Sequence, residues 1–137
     1  MNNLSKDLKW LYENLKDILT KPRVIAQSGS AGHWYYKKWS DGTLECWLHR
    51  EINHHAVGTQ WGSLYYSEIS KPENYPVTFL VYPTVITTLQ SSTGNCFSTN
   101  NNTNYSTSNP GSMFALSPSK LTDTNLTINY YVVGRWK

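Results

Sequence analysis

This sequence of 137 residues has no long apolar run, few cysteines and little charge. A transmembrane helix needs about 20 consecutive apolar residues, and no stretch approaches that length. The first residues, MNNLSKDLKW, also lack the apolar segment of a secretory signal peptide. We therefore expect no insertion into a membrane.

The chain has two cysteines, Cys46 and Cys96, too few for a disulfide framework. The formal net charge is +3, and the 12 lysines and arginines are scattered along the chain without a basic run. Because nucleic-acid binding usually needs clustered positive charge, we expect no nucleic-acid partner. Hydrophobic residues make up 39% of the chain, which is typical of one globular protein rather than a disordered segment.

Catalytic motifs are also missing from the sequence. Ser63 follows Trp61 and Gly62 but lacks the second glycine of a nucleophile elbow. No Asp or Glu lies in a glycine-rich phosphate loop. We predict no active site and no cofactor.

Histidines cluster in one region, and they leave two readings open. His49, His54 and His55 lie near Glu45 and Glu51. One histidine from each of three chains could form a three-ligand metal site on a threefold axis. Their spacing matches no metal motif, so we favour surface histidines and predict no metal site.

Residues 1–21 carry a heptad pattern. Leu8 and Leu15 occupy a positions, and Leu4, Leu11 and Ile18 occupy d positions. Pro22 ends the pattern, because proline cannot continue a helix. The narrow a/d stripe favours a coiled coil of three or four strands, although a short amphipathic helix could instead pack on its own domain.

Residues 22–137 read as an antiparallel β-sandwich, since successive short strands are joined by turns without helices. A long low-charge loop is predicted at 92–111. Pro83 indicates a bend or an edge position in its neighbourhood. The predicted strands lie near 23–28, 33–40, 43–50, 55–66, 77–82, 84–91, 112–117 and 126–136.

The stretch HWYYKKWSDGTLECWLHR predicts a β-hairpin with large rings on both faces. Asp41 and Gly42 favour a two-residue turn that pairs Ser40 with Thr43. Alternation along the strands then separates two sets of side chains. The predicted core set is Tyr35, Trp39, Leu44, Cys46 and Leu48. The second set, Trp34, Tyr36, Trp47 and His49, is too aromatic for a solvated face, so we expect another chain or another layer of the domain to cover it.

Between Val77 and Ser119 the chain has no Asp, Glu, Lys or Arg. This part includes the Ser-, Thr- and Asn-rich segment QSSTGNCFSTNNNTNYSTSNPGS. It could be a flexible low-complexity loop, but long loops in small domains are often functional. Amide and hydroxyl groups beside a few rings suit sugar binding, which makes Phe97, Asn101 and Tyr105 the candidate ligand-binding residues.

Four stretches of the sequence resemble one family. WYYKKWSDGTLECW, from Trp34 to Trp47, is similar to the W-x-Y-x-K-W-S-D/N-G-x-x-E-C-W signature near the end of phage and prophage tail-fibre or baseplate-associated proteins. YPVTF at 75–79, PTV at 83–85 and VGRWK at 133–137 resemble its later motifs. The resemblance covers about residues 33–137. Leu48 departs from it, because glycine is frequent at that position.

The resemblance implies a homotrimeric virion fibre protein with a small antiparallel β domain at its tip, assembled in the cytoplasm of a bacterial host. The expected partners are two further copies, a host-surface polysaccharide and other virion proteins. Two alternatives remain: a purely structural or decoration protein, and a polysaccharide hydrolase. The residues expected at the trimer interface are Leu4, Leu8, Leu11, Leu15, Ile18, Trp34, Tyr36 and Trp47.

Overall fold

A computed structural model describes residues 3–20, 22–70 and 73–137, with the side chains of residues 3, 17–20, 70 and 101–104 excepted. Within these residues the chain forms one α-helix and nine β-strands. The elements are α1 (Asn3–Thr20), β1 (Ile25–Ala31), β2 (Trp34–Trp39), β3 (Thr43–Val57), β4 (Thr59–Trp61), β5 (Leu64–Ser70), β6 (Thr84–Ser91), β7 (Phe97–Tyr105), β8 (Pro110–Ser117) and β9 (Leu121–Arg135).

The predicted N-terminal helix is present as α1, which ends two residues before Pro22. Its a and d leucines are 49–66% exposed: Leu4, Leu8, Leu11 and Leu15. The stripe is therefore not buried against the β-strands of the same chain, which argues against the intramolecular packing that the sequence left open. The side chain of Ile18 lies outside the described residues. Assembly through this stripe stays a prediction.

The strands form two antiparallel sheets, which confirms a mainly β, sandwich-like architecture. The larger sheet has the order β1-β2-β3-β9-β6, and the smaller has the order β4-β5-β8-β7. The core between them draws on both sheets and on the irregular segment before β6. Its members include Leu44, Cys46, Val57, Met113, Ala115, Ile128 and Val132.

Three predicted elements differ from the structure. The predicted strand 55–66 spans the end of β3, all of β4 and the start of β5, with a turn at residues 62–63. Residues 77–82 form no strand, and Phe79 instead points into the core. Two hydrogen bonds hold the backbone there. The Phe79 N–H donates to the Thr107 carbonyl (2.8 Å), and the Leu80 N–H donates to the Arg135 carbonyl (2.7 Å). The predicted loop 92–111 contains strand β7, which pairs with β8 from Phe97 opposite Leu116 to Tyr105 opposite Pro110. The sequence pattern missed this strand because most of its side chains are polar. An edge strand tolerates polar side chains when its backbone is paired.

Strands β2 and β3 form the predicted hairpin, but with a different register. Trp34 pairs with Leu48 and Lys38 with Leu44. The Gly42 N–H donates to the Trp39 carbonyl (3.0 Å), and Gly42 has a φ of 89°. The connection is therefore a three-residue loop with a left-handed glycine, and the predicted two-residue turn is wrong by one residue.

A one-residue shift moves every side chain of β2 to the opposite face. Trp34, predicted at a trimer interface, is 1% exposed in the single chain, with its ring centroid 5.4 Å from that of Tyr75 and 5.8 Å from that of Tyr130. Tyr36 packs against the same core. Tyr35, predicted in the core, is 55% exposed. Trp39, also predicted in the core, lies instead on the side of Glu45, to which its Nε1 donates. The face assignments of Trp34, Tyr36, Tyr35 and Trp39 are therefore corrected, whereas those of Leu44, Cys46 and Leu48 are confirmed.

The C-terminal strand approaches the core segment closely at Gly134. A Cβ atom added there would lie 2.7 Å from Phe79 Cδ1. The phenyl ring of Phe79 is 2% exposed and stacks edge-on to Tyr75, with centroids 5.1 Å apart. Glycine in the terminal VGRWK segment is thus required by packing of the strand on Phe79.

Candidate functional site

The side of the five-stranded sheet that faces away from the core, here called the outer face, carries several large rings, of which Tyr35 and Tyr131 are exposed and Trp47 is half-buried. Four paired positions form a row across it, the aromatic row: Tyr35, Trp47, Tyr131 and Ile86. The Tyr35 and Trp47 rings are nearly parallel (16°), with centroids 6.1 Å apart. Tyr131 is 41% and Ile86 55% exposed. Contiguous exposed apolar surface of this kind usually marks a contact surface.

Charged side chains border the aromatic row on one side. Lys37 Nζ lies 5.5 Å from the Trp47 ring, and the Arg23 guanidinium lies 4.0 Å from the Trp39 ring. Both are cation–π distances. Arg23 also pairs with Asp41 (3.2 Å) and Glu45 (3.9 Å), so this border carries charges of both signs.

Glu45 is held by two donors at the same border. Trp39 Nε1 donates to Glu45 Oε2 (2.5 Å), and the Tyr131 hydroxyl donates to Glu45 Oε1 (2.8 Å). Burial and the bond to Glu45 raise the pKa of Tyr131. Glu45 therefore orients rings of the outer face and is not free to act on a ligand.

A second row, two residues further along each strand, is a hydrogen-bonded ladder. His49 Nδ1 is 2.7 Å from Asn129 Oδ1, and Asn129 Nδ2 donates to Thr88 Oγ1 (3.0 Å). The paired positions lie on β3, β9 and β6. The ladder separates the aromatic row from a third row, which consists of Glu51, Thr127 and Gln90 and lines a polar cleft.

The three clustered histidines do not converge. His49 belongs to the ladder, His54 Nδ1 lies 3.2 Å from both carboxylate oxygens of Asp123, and His55 Nε2 lies 2.8 Å from Ser67 Oγ. Burial lowers the pKa of His55. Among the described residues, no group of three His, Cys, Asp or Glu side chains could hold a metal ion.

Both cysteines have free thiols, and Cys46 is buried. Burial raises the pKa of the Cys46 thiol to about 12. A thiol that stays protonated is a poor nucleophile, so Cys46 serves as a small core residue.

In the described part of the chain, no helix is long and apolar enough to span a bilayer.

The predicted ligand-binding residues lie along β7 and are not brought together. Phe97, at the start of the strand, is 48% exposed beside Leu116 on the smaller sheet. Tyr105, at its end, donates its hydroxyl to the Pro83 carbonyl and has its ring centroid 5.3 Å from that of Tyr82. The side chain of Asn101 lies outside the described residues. Their ligand-binding role stays a prediction, but the hydroxyl of Tyr105 is already in use.

Sequence reasoning missed Tyr131 and Ile86 as members of the exposed row. Alternation in β9 and β6 carried the signal, because Tyr131 lies between the buried Tyr130 and Val132, and Ile86 lies between half-buried neighbours. The pattern could not supply the pairing of β9 with β3 or of β6 with β9.

No protein-family model and no curated protein matches this sequence. The fold is similar to a solved structure of an N-truncated R1-type pyocin tail fiber, with a TM-score of 0.52 and 14% identity. The match covers 90% of this chain and 94% of that one. Similarity at this identity concerns the fold alone. The protein therefore has a tail-fibre-like fold, in agreement with the architecture that the family resemblance implies.

Proposed function

We propose that this protein is a fibre component of a phage or phage-tail-like particle, acting as a homotrimer that attaches the particle to a host-surface glycan without catalysis. The observation that carries the proposal is the similarity to a pyocin tail fiber over 90% of this chain, joined to the tail-fibre motifs between Trp34 and Lys137. Its place is the virion tail, after assembly in the bacterial cytoplasm. Other virion proteins are its partners there.

The homotrimer is supported by the exposed leucine stripe of α1. A helix of 18 residues is marginally stable alone, and burying its apolar face against other helices stabilises it. Leucine at a with leucine at d suits assemblies larger than dimers. Trp47 on the outer face remains a proposed contact between chains, whereas Trp34 and Tyr36 are assigned to the core of one chain.

Glycan attachment is supported by the chemistry of the outer face. Sugars present apolar ring faces and hydroxyl groups, and the outer face offers rings in one row and amide and hydroxyl groups in the next two. Specific sites combine apolar and aromatic surface with a few placed polar groups. The same surface could instead be covered by another virion protein, which is the alternative of a purely structural role.

The wide spacing of Glu45 and Glu51, the two carboxylates of β3 on the outer face, supports the absence of catalysis. Glycosidases hold two carboxyl groups about 5 to 9.5 Å apart. Glu45 and Glu51 are six residues apart on one strand, a separation of about 20 Å at roughly 3.3 Å per residue. Asp41 is the carboxylate near Glu45, and both are engaged by the Arg23 guanidinium, at 3.2 Å and 3.9 Å. Glu45 is also held by Trp39 and Tyr131.

Adsorption of the labelled protein to bacterial cells tests the function. Mild periodate oxidation, which cleaves vicinal diols of sugars, should abolish adsorption, whereas protease treatment of the cells should not. Light scattering on the same sample should give three times the 15.7 kDa chain mass. Adsorption that survives periodate would overturn the glycan as the receptor, and no adsorption to any strain that the particle infects or kills would favour the structural role.

A further inference from the structure

We propose that the polar cleft at the far end of the outer face is a subsite for one neutral sugar residue of the host glycan. The proposal rests on the function proposed above and names a site and a ligand class for it. The cleft has a volume of about 280 Å³. It is lined by Glu51, Asn53, Gln90, Ser91, Ser92, Asn125, Leu126 and Thr127.

The cleft is built across three strands that are distant in the sequence. Glu51 on β3 pairs with Thr127 on β9, and Thr127 pairs in turn with Gln90 on β6. Residues at paired positions point to the same side of a sheet, so these three side chains form the floor. The volume lies just below the range of about 300–1,000 Å³ for typical ligand sites, which suits one sugar ring rather than a long chain.

Some polar groups of the cleft are uncommitted, whereas the hydroxyls of Ser91 and Ser92 are already hydrogen-bonded. Among the residues that the structure describes, the side chains of Glu51, Asn53 and Gln90 have no hydrogen-bond partner. Asn125 uses its amide oxygen to accept the His54 N–H (3.1 Å), but its amide NH₂ has no such partner within the same residues. Donors and acceptors therefore stand side by side, which matches sugar hydroxyls, since each hydroxyl both donates and accepts.

A β-bulge positions the wall of the cleft. Between Ile52 and His55, β3 has one residue more than β9, and His54 there has a φ of 57°. Left-handed non-glycine residues are uncommon, and bulges re-aim side chains beside functional sites. The bond from His54 N–H to Asn125 holds this conformation, so Asn53 and Asn125 are placed by backbone geometry.

Asn125 is also tied to the loop after β6. Its N–H donates to Ser92 Oγ (2.9 Å), and the Ser92 N–H donates to the Asn125 carbonyl (2.9 Å). These bonds fix one end of the cleft, where β9, the loop after β6 and the bulge in β3 come together. A preorganised site of this kind loses less entropy when a ligand binds.

The charge of the lining selects the ligand class. Glu51 is the one charged residue among the residues that line the cleft. A carboxylate accepts hydrogen bonds from sugar hydroxyls, but it repels uronate and phosphate groups. The cleft therefore suits a neutral sugar and disfavours an acidic one.

The cleft is compatible with contacts between chains at the aromatic row. Thr127 lies four residues from Tyr131 on β9, about 13 Å at roughly 3.3 Å per residue, with the His49–Asn129–Thr88 ladder between them. A neighbouring chain can therefore cover Trp47 and leave the cleft open.

Nuclear magnetic resonance of the full-length ¹⁵N-labelled protein tests the proposal. The probes are glucose, galactose, mannose, rhamnose, N-acetylglucosamine and glucuronic acid, each at up to about 100 mM, because single sugars bind weakly. At least one neutral sugar should shift the side-chain amide signals of Asn53, Gln90 and Asn125. The amide of Gln60, on the opposite sheet, should not move.

Variants sharpen the test. Gln90→Ala and Asn53→Ala should each weaken binding of that sugar about fivefold to tenfold, as expected for a lost hydrogen bond. Gln60→Ala is the matched control and should bind as the wild type does. Glu51→Gln should reduce the preference for glucose over glucuronic acid toward one, while Glu68→Gln on the smaller sheet should leave that preference unchanged.

Each outcome decides between the two proposals. Sugar-induced shifts confined to another surface, for example around Phe97, would overturn the cleft and retain glycan attachment. No shift by any sugar, together with periodate-resistant adsorption to cells, would overturn both. No shift by any sugar with periodate-sensitive adsorption would overturn the cleft alone.

Discussion

Trp34 and Trp47 lie on adjacent strands of one hairpin, yet they have opposite environments. Trp34 is 1% exposed and contacts Tyr75 and Tyr130, whereas Trp47 lies on the outer face beside Tyr35 and Lys37. The two residues have the same side chain. Their difference teaches that position relative to the pleat, and not residue type, decides which ring packs in the core and which lies on the outer face.

The largest effect is expected from removing the inner ring. Trp34→Ala should lower the free energy of unfolding by about 3–5 kcal/mol, since it deletes a buried aromatic side chain from the core. Trp47→Ala is the matched control, and at low protein concentration it should cost less than about 1 kcal/mol. Urea denaturation of dilute samples measures both. Equal losses for the two variants would mean that the hairpin register is wrong.

A smaller loss should follow from filling the space at Gly134. Gly134→Ala places a Cβ 2.7 Å from the buried Phe79 ring, and overpacking of a core costs about 1–3 kcal/mol. Gly58→Ala is a suitable control, because its Cβ would meet only the Lys120 side chain, at 3.6 Å. The difference in thermal midpoint between the two variants tests the prediction. It would fail if Gly58→Ala were the more damaging change.

The helix stripe extends the comparison to a second exposed apolar surface. The double variant Leu8→Asn, Leu15→Asn should raise the concentration at which the oligomer dissociates by at least about tenfold, since polar a positions weaken a short coiled coil. Sedimentation velocity over a dilution series measures the change. Lys9→Asn, outside the a/d stripe, serves as the control. An unchanged oligomer in the double variant would assign assembly to the β-strands.

The smallest effect concerns an ion pair at the rim of the core. Burial would raise the pKa of Glu73, but hydrogen bonds from the ring and the backbone N–H of His33, with nearby positive charge, outweigh it and lower that pKa. The stabilisation that Glu73 contributes is therefore fully present above its ordinary, unfolded-state pKa. It is lost as the pH falls through the lowered pKa of the folded state. Both partners are partly exposed, so the contribution is below about 1 kcal/mol.

Glu73→Gln measures this contribution. In strong acid, the variant and the wild type should have the same unfolding midpoint. At neutral pH, the unfolding midpoint of the variant should be slightly lower than that of the wild type. Glu68→Gln, at an exposed position on the smaller sheet, is the matched control. A neutral-pH stability equal to that of the wild type would show that the pair contributes nothing measurable.

Local patterns predicted much of the fold, and particular residues explain where they stopped. Alternation in β3 placed Leu44, Cys46 and Leu48 in the core without knowledge of any partner strand. The side chains of β2 were assigned to the wrong face because Asp41 and Gly42 suit both a two-residue and a three-residue turn. The bond from Gly42 N–H to the Trp39 carbonyl, which a sequence does not display, decides between them.

The candidate site was less predictable than the fold. A lack of charge between Val77 and Ser119 drew attention to Phe97, Asn101 and Tyr105, although that segment holds a paired strand. The cleft residues Glu51, Gln90 and Thr127 carry no local motif. They become neighbours only because β3, β9 and β6 lie side by side.

By itself, the sequence determined the N-terminal helix, its end before Pro22, the mainly antiparallel β architecture and the place of the hairpin. These features depend on periodicity, proline and turn residues, which act over a few positions. Only the tertiary structure decided which aromatic rings are buried, that β7 is a strand, and which polar groups meet in the cleft. The physical reason is that strand pairing joins residues far apart in the chain, and a shift of one residue in that pairing reverses the faces of a strand.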